Sequence, residues 1–225
     1  MVVVAAGRGT RFGGETPKQY QPIAGVPMVL RAVRPFAAHP DVAQVALVLP
    51  PADAEAPPAF LRGIAGAGLV VVAGGAERSD SVAAGLGALG PECTIVLVHD
   101  AARPFVGRAV IDAVIAHARA GEGAVAAVRV SDTLKQAAAE DATRVARTVP
   151  RDGLWRAQTP QGFPRAVLER AQAAAAGQAA GATDDAALVE RMGVPVRLVP
   201  DSPRNMKVTT SEDLALAELL AGRGG

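Results

Sequence analysis

Cysteine, lysine and long apolar runs are all scarce in this sequence, and each scarcity excludes something. The 225 residues contain one cysteine, Cys93, which excludes an internal disulfide and any metal site built from CxxC pairs. We expect Cys93 to be a small buried residue at a strand entrance rather than a nucleophile. No apolar run is long enough to cross a bilayer, and the apolar residues 1–6 are too few for a signal peptide. We therefore expect a cytoplasmic protein without a membrane partner.

Excess charge is also lacking, since the formal net charge is only +1. We therefore expect no nucleic-acid partner, and any phosphate must be bound by cations gathered locally. Lysine is rare beside 20 arginines and occurs only as Lys18, Lys135 and Lys207. These positions are candidates for sites that need a compact ammonium group. The alternative for each is a surface lysine without a functional role, retained by chance.

Valine-rich runs alternate with longer segments of helical spacing. The runs over residues 2–6, 45–49, 69–72, 94–98 and 124–128 predict buried strands, and residues 28–38, 79–89 and 108–120 predict helices between them. This alternation indicates an α/β fold with a Rossmann-like, mainly parallel twisted sheet flanked by helices. We expect a single domain over residues 1–225.

The rhythm changes after residue 130. Residues 130–155 predict an arm that leaves the main body, with a strand and a turn at 145–150, and residues 151–164 are rich in turn formers. The regular pattern then returns, with helices predicted over 165–176, 183–192 and 211–221 and a strand over 194–199. Lys135 is expected on the surface of the arm.

Four clusters of polar and glycine residues follow predicted strands, at residues 7–18, 74–81, 100–104 and 204–210. Ligands of open α/β sheets bind beyond the carboxyl ends of the strands, so we expect all four clusters at one rim. In the first cluster, Gly7 and Gly9 allow close approach of the backbone to an anion, and Arg11 and Lys18 add positive charge. Phe12 occupies the third glycine position of GxGxxG, so the dinucleotide fingerprint fails, and no P-loop lysine follows.

Nine short strings resemble the signatures of the polyol-phosphate cytidylyltransferase family, in family order and over nearly the whole chain. They are AAGRGTR (5–11), PKQY (17–20), GGAERSDS (74–81), VHDAARPF (98–105), DTLK (132–135), VPRDGLW (149–155), QTPQ (158–161), TDD (183–185) and NMKVT (205–209). Within that family the chain resembles the enzymes that act on 2-C-methyl-D-erythritol 4-phosphate. The family often has an acidic residue where Ala76 stands, which leaves base selectivity open unless the contact is made by backbone.

The resemblance implies that a substrate phosphate oxygen attacks the α-phosphorus of CTP and expels pyrophosphate, chemistry that depends on positioning and electrostatic stabilisation. It implies that Arg11 and Lys18 are catalytic cations. It also implies a nucleotide site formed by Ala5, Ala6, Gly7, Gly9, Gly75, Ala76, Ser81, Asp100 and Ala101, and a methylerythritol phosphate site formed by Asp100, Arg103, Thr133, Arg151, Thr159 and Lys207. The implied cofactor is Mg²⁺ or another divalent cation, held mostly through CTP phosphates with help from Asp100. The implied assembly is a homodimer with arm exchange, in which Arg151 completes the neighbour's site.

Several alternatives stand beside these roles. Arg78 and Asp80 could instead pair to cap a helix, Asp100 and Arg103 could form an ion pair that organises their loop, and His99 is expected to serve packing or a hydrogen bond. A ribitol 5-phosphate cytidylyltransferase would share the glycine loop, although the strings at 100–103 and 151–155 favour methylerythritol phosphate. A regulatory module that has lost its chemistry should also have lost the cations. The glycine pattern does not support a dinucleotide-dependent oxidoreductase.

Overall fold

The computed structural model describes residues 1–7, 12, 16–64, 66–175 and 183–222. Within these residues the strands are β1 (Val2–Val4), β2 (Pro22–Ile23), β3 (Val26–Pro27), β4 (Gln44–Leu49), β5 (Gly68–Ala73), β6 (Ile95–Asp100), β7 (Gly123–Arg129), β8 (Leu134–Ala137), β9 (Val145–Val149), β10 (Trp155–Pro164) and β11 (Val196–Pro200). The α-helices are α1 (Met28–Ala37), α2 (Pro51–Glu55), α3 (Arg78–Gly87), α4 (Arg108–Arg119), α5 (Arg165–Ala175), α6 (Asp185–Glu190) and α7 (Ser211–Gly222). The predicted α/β class is confirmed.

A central sheet organises the described residues, with seven strands in the order β11-β7-β10-β6-β1-β4-β5. Every neighbouring pair is parallel except the two that involve β10, which runs antiparallel to β6 and to β7. The chain moves from β1 outward to β4 and β5, and then crosses back through α3 to β6 on the other side of β1. The order therefore reverses beside β1, and such a reversal opens a crevice at the carboxyl ends of the strands.

Both faces of the sheet are buried because alternate side chains of its strands point to opposite layers. Along β4, Val45, Leu47 and Leu49 pack in one apolar cluster with residues of α1 and α4. Ala46 and Val48 of the same strand pack in a second cluster with residues of α3, α5 and α6. Helices thus cover both faces, as the continuous apolar character of the predicted strands indicated.

Residues 151–164 are rich in turn formers, yet most of that segment is a strand. Residues 155–164 form β10, which is inserted between β6 and β7, and residues 158–163 are buried. The turn-forming residues fall where the pairing with β7 shifts register, between Ala157 and Gln161, and the Thr159–Pro160 peptide is cis. Because Pro160 has no N–H to donate, an irregular part of the ladder accommodates it. Pairing on both edges therefore outweighs the local turn propensity.

The segment predicted as an arm contains a hairpin of β8 and β9, which pair antiparallel in a sheet of their own. The predicted strand over residues 145–150 corresponds to β9. Most of its side chains are exposed, including Val145 at 55%. Lys135 lies in β8 and donates from Nζ to Oγ1 of Thr148 at 2.7 Å, so its expected place on the arm surface is confirmed.

In the part of the chain that the structure describes, no helix combines the length and apolar character needed to span a membrane. Cys93 is a buried free thiol just before β6, as expected for a small residue at a strand entrance.

Candidate active site

A cavity of about 210 Å³ opens beside the carboxyl ends of β1 and β6. All four polar clusters of the sequence contribute to its wall, which agrees with the strand-end rule. The lining residues are Val4, Ala5, Ala6, Gly7, Lys18, Gln19, Gly75, Ala76, Glu77, Arg78, Ser81, Asp100, Ala101, Ala102 and Lys207. Cations and carboxylates therefore share one small space with exposed backbone.

The turn after β5 and the end of β1 lie in close contact in the wall because Gly74, at their contact, has no side chain. A Cβ on Gly74 would lie 2.4 Å from Cβ of Ala6 and 2.8 Å from Oγ of Ser81, distances that side-chain atoms do not tolerate. Glycine at this position lets the turn after β5 approach the end of β1. The buried Ser81 hydroxyl donates to the carbonyl of Glu77 at 3.2 Å. Ala6, Gly75, Ala76 and Ser81 thus form one continuous stretch of the cavity wall.

Lys18 enters the cavity from a short 3₁₀ turn over Lys18–Tyr20. Its Nζ lies 3.1 Å from the carbonyl oxygen of Val208, one residue after Lys207. Tyr20 anchors the other end of the turn, because its hydroxyl donates to Oδ2 of Asp53 at 2.7 Å and its ring meets Phe60 edge-on at 5.8 Å. Burial, followed by the hydrogen bond to Asp53, raises the pKa of Tyr20. The turn therefore holds the Lys18 ammonium near a second lysine.

Asp100, at the end of β6, is a buried carboxylate that lines the cavity. Its Oδ2 lies 2.7 Å from Nζ of Lys207, and its Oδ1 accepts from Nε of Arg78 at 3.3 Å. Burial alone would raise the pKa of Asp100, but Arg78 and then Lys207 outweigh it and hold that pKa well below its usual range. Asp100 is therefore ionised and faces two cations. The alternative ion pair with Arg103 is not what the structure has, since Arg103 donates from Nη1 to the carbonyl of Asn205 at 2.8 Å.

Arg78 is the first residue of α3, and it connects the cavity to a second buried acid. Its Nη1 lies 2.7 Å from Oδ2 of Asp185, so the suggested pair with Asp80 is wrong. Asp80 does cap the helix, because its carboxylate accepts from the N–H of Glu77 at 3.0 Å in a reciprocal capping box. Burial raises the pKa of Asp185, and Arg78 opposes that rise.

A buried hydrogen-bonded layer supports the cavity floor. His99 places Nδ1 2.9 Å from Oγ1 of Thr159 and Nε2 2.9 Å from the carbonyl oxygen of Arg103. The Thr159 hydroxyl also accepts from the N–H of Asp100 at 3.0 Å. Burial lowers the pKa of His99 to about 4, so the imidazole is neutral. The expected structural role of His99 is confirmed, and these hydrogen bonds hold the end of β6 at Asp100 together with the backbone of Arg103 in the turn that follows.

Almost all of this sequence matches known proteins. The family profile described as 2-C-methyl-D-erythritol 4-phosphate cytidylyltransferase matches residues 1–223. The chain belongs to this family. The corresponding enzyme of Frankia casuarinae is 45% identical over 223 residues, which cover 99% of this chain and 80% of that protein. The crystal structure of the family member from Thermus thermophilus superposes with a TM-score of 0.81 at 36% identity, covering 99% of this chain and 98% of that chain.

A further relative is longer than this chain. The bifunctional enzyme IspD/IspF of Rhodospirillum rubrum is 47% identical over 227 residues, a match that covers 99% of this chain. The same match covers 57% of that protein, so the chain spans little more than half of its length.

The structure brings together most, but not all, of the residues predicted for this family's site. Ala5, Ala6, Gly7, Lys18, Gly75, Ala76, Ser81, Asp100, Ala101 and Lys207 line the cavity. Thr159 is buried beneath it, Arg103 points to Asn205, and both Thr133 and Arg151 are exposed beside the hairpin, where Arg151 donates to the carbonyl of Ser131. Gly9 and Arg11 lie outside the described residues.

Sequence reasoning missed Arg78 as a cavity residue and Asp185 as its partner. Arg78 belongs to a cluster after a predicted strand, so the strand-end rule could have included it. Asp185 follows Arg78 by 107 residues, and no local pattern connects the two.

Proposed function

We propose that this chain transfers CMP from CTP to 2-C-methyl-D-erythritol 4-phosphate and releases pyrophosphate, giving 4-diphosphocytidyl-2-C-methyl-D-erythritol for isoprenoid precursor synthesis. The observation that carries this proposal is the family match over residues 1–223, on a chain whose cavity gathers two lysines. Because the reaction consumes CTP, we also propose a cytoplasmic location.

The reaction is an in-line displacement at phosphorus. A phosphate oxygen of the polyol substrate forms a bond to the α-phosphorus of CTP while the bond to the β-phosphate oxygen breaks. No side-chain nucleophile is needed, and the main obstacle is the repulsion between two anions. Lys18 reaches the cavity on its anchored turn and supplies positive charge where negative charge develops. Arg11 is proposed to act with Lys18 on the same phosphates.

The nucleotide is proposed to lie along the backbone wall. Cytosine offers an amino donor and a carbonyl and a ring nitrogen as acceptors, a pattern that backbone N–H and C=O groups can satisfy. The wall formed by residues 5–7 and 75–76 presents such groups, and Ser81 lies behind it. Because Ala76 has no polar side chain, its contribution to base recognition comes through its backbone.

The polyol phosphate is proposed to lie between Lys207 and Asp100. The ammonium group of Lys207 would neutralise the attacking phosphate, and the Asp100 carboxylate would accept from a substrate or ribose hydroxyl. The Thr159 hydroxyl accepts from the N–H of Asp100 and Arg103 donates to the carbonyl of Asn205, so both side chains support the backbone around this site. These groups position two reactants, which accounts for a large part of the rate in reactions of this kind.

Thr133 and Arg151 are proposed to act on the neighbour's substrate in a homodimer with exchanged hairpins. Both residues flank the β8–β9 hairpin, whose exposed side chains leave surface for a partner, and neither lines the cavity of its own chain. A second subunit would bring the Arg151 guanidinium to the polyol phosphate. A dimer of this kind is a C₂ assembly in which each hairpin serves the opposite site.

The donor set fits Mg²⁺ held mainly by CTP. Within the described ranges no group of three or more metal-binding side chains is present, and Asp100 is the buried carboxylate of the cavity. Mg²⁺ commonly takes one or two carboxylates together with substrate phosphates and water, so Asp100 would be its protein ligand. The ion would supply positive charge to the triphosphate.

Substrate comparison tests this proposal. Purified protein, CTP and Mg²⁺ are incubated with 2-C-methyl-D-erythritol 4-phosphate or with ribitol 5-phosphate, and pyrophosphate release is followed. Release that depends on methylerythritol phosphate supports the proposal. Release with ribitol phosphate alone would keep the mechanism and replace the substrate, whereas CTP binding without release from either would favour a regulatory module.

A further inference from the structure

A line of four side chains with alternating charge runs from the protein interior into the cavity. In order they are Asp185, Arg78, Asp100 and Lys207, joined by contacts of 2.7, 3.3 and 2.7 Å. The Asp185 and Asp100 side chains are only 2% and 10% exposed, whereas Arg78 and Lys207 are 31% and 43% exposed. Each buried acid therefore faces a cation that reaches the cavity.

Arg78 connects two elements that approach the cavity from different directions. Its planar guanidinium gives Nη1 to Asp185 at the start of α6 and Nε to Asp100 at the end of β6. Lysine has a single ammonium point charge and does not offer this fork, so arginine is the residue type that can orient both acids. The capping box at the start of α3 fixes the backbone from which Arg78 projects.

Asp185 is itself held from a third direction. Its Oδ1 accepts from Nε2 of Gln172 in α5 at 3.3 Å, and the remaining oxygen is occupied by Arg78. Asp185 does not line the cavity, and the cavity residue that its side chain contacts is Arg78. If Arg78 were missing, Asp185 and Asp100 would lie near each other without the cation between them.

We propose that Arg78 and Asp185 are positioning residues for the reaction, in which Asp185 fixes the Arg78 guanidinium and Arg78 fixes one oxygen of Asp100. The other Asp100 oxygen is then directed at Lys207 and the cavity. This inference rests on the proposed function, because it gives Asp100 a part in binding substrate. It adds a buried residue that does not itself line the cavity, and replacing it should lower kcat/KM by more than a comparable loss of stability elsewhere in α6 would.

The test compares Asp185→Asn with a control in the same short helix. Val189 is fully buried in α6, so Val189→Ala weakens the packing of that helix without removing a charge contact. With both variants assayed while fully folded, as checked by circular dichroism and thermal unfolding, Asp185→Asn should lower kcat/KM by about tenfold or more. Val189→Ala should leave kcat/KM unchanged. Equal kinetic losses in the two variants would overturn the inference.

A double-variant cycle shows whether Asp185 acts through Arg78. Arg78→Gln should lower kcat/KM by itself, and adding Asp185→Asn to it should cause no further loss. A second, independent loss of about tenfold in the double variant would overturn the proposed connection. Arg78→Lys keeps the positive charge but cannot contact both acids as the planar guanidinium does, so its kcat/KM should stay well below wild type. This variant tests the inference if Asp185→Asn folds poorly.

Wild-type protein that releases no pyrophosphate from CTP and methylerythritol phosphate would refute the proposed function itself, and Asp100→Asn then tests the role of Asp100 separately from the positioning role. If Asp100→Asn keeps wild-type kcat/KM, the proposed role of Asp100 is wrong and the positioning role falls with it. If Asp100→Asn loses activity while Arg78→Gln and Asp185→Asn do not, the proposed function stands and the positioning role alone is refuted.

Discussion

Acid should destabilise this protein through His99. The imidazole is fully buried, and both of its nitrogens are engaged in the fold, by Thr159 and by the carbonyl of Arg103. Burial lowers the pKa of His99 from 6.5 to about 4, although the Arg103 carbonyl and the Asp100 carboxylate favour the protonated form. The neutral imidazole is therefore part of the native structure, and protonation must work against the fold.

The sign and size of the effect follow from these values. Below pH 6.5 the unfolded chain takes up a proton on His99, whereas the folded chain does so only near pH 4. Because the unfolded state binds more protons in this window, the free energy of unfolding falls as the pH is lowered. Each pH unit in the window is worth about 1.4 kcal/mol, so about 3 kcal/mol of stability should be lost across it.

Urea unfolding of wild type and His99→Gln at several pH values measures this loss. Glutamine keeps an amide donor but does not titrate, and subtracting the two free energies removes the contribution of other titrating groups. The stability difference between the proteins should change by about 3 kcal/mol between pH 6.5 and 4. A difference that is constant with pH would show that His99 does not cause the loss of stability in acid. If the variant does not fold, an NMR titration of wild-type His99 with a pKa near 6.5 would show the same.

Three further predictions concern the reaction itself. Lys18→Ala should lower kcat by about a hundredfold because a cation beside the developing negative charge is lost. As a control, Lys135→Ala in the hairpin should keep kcat within about twofold of wild type. Equal losses in the two variants would contradict the catalytic role of Lys18. Arg151→Ala and Lys18→Ala proteins should each be nearly inactive alone. After equal amounts exchange subunits, about half of the dimers are mixed and each mixed dimer has one intact site of two, so about a quarter of wild-type activity should return. No recovery would argue against arm exchange. Chelation with EDTA should abolish pyrophosphate release and added Mg²⁺ should restore it, whereas release that survives chelation would exclude a metal requirement.

Much of the framework could be predicted because the relevant signals are local. The valine-rich runs gave β4, β5, β6 and β7 within two residues at each end, and their burial on both faces explains the lack of polar alternation. The rule that ligands bind beyond strand ends then grouped residues 7, 18, 75–76, 100–101 and 207 correctly around one cavity. These results depend only on short-range periodicity and chain direction.

The errors arose where distant parts of the chain decide the structure. Residues 155–164 carry turn formers, yet two neighbouring strands supply hydrogen bonds on both edges and make the segment β10. Arg78 has an acid two residues away in sequence, Asp80, but its partners are Asp100 and Asp185. A local pattern contains no information about which of several acids a long cationic side chain will reach after folding.

Identification of the reaction product tests whether this protein transfers CMP to methylerythritol phosphate. Wild-type protein is incubated with CTP, Mg²⁺ and 2-C-methyl-D-erythritol 4-phosphate, and the mixture is analysed by liquid chromatography with mass spectrometry. We expect 4-diphosphocytidyl-2-C-methyl-D-erythritol in amounts equal to the pyrophosphate released, and almost none from Lys18→Ala over the same time. Pyrophosphate without this product would refute the proposed transfer, and equal product from the variant would refute the role of Lys18.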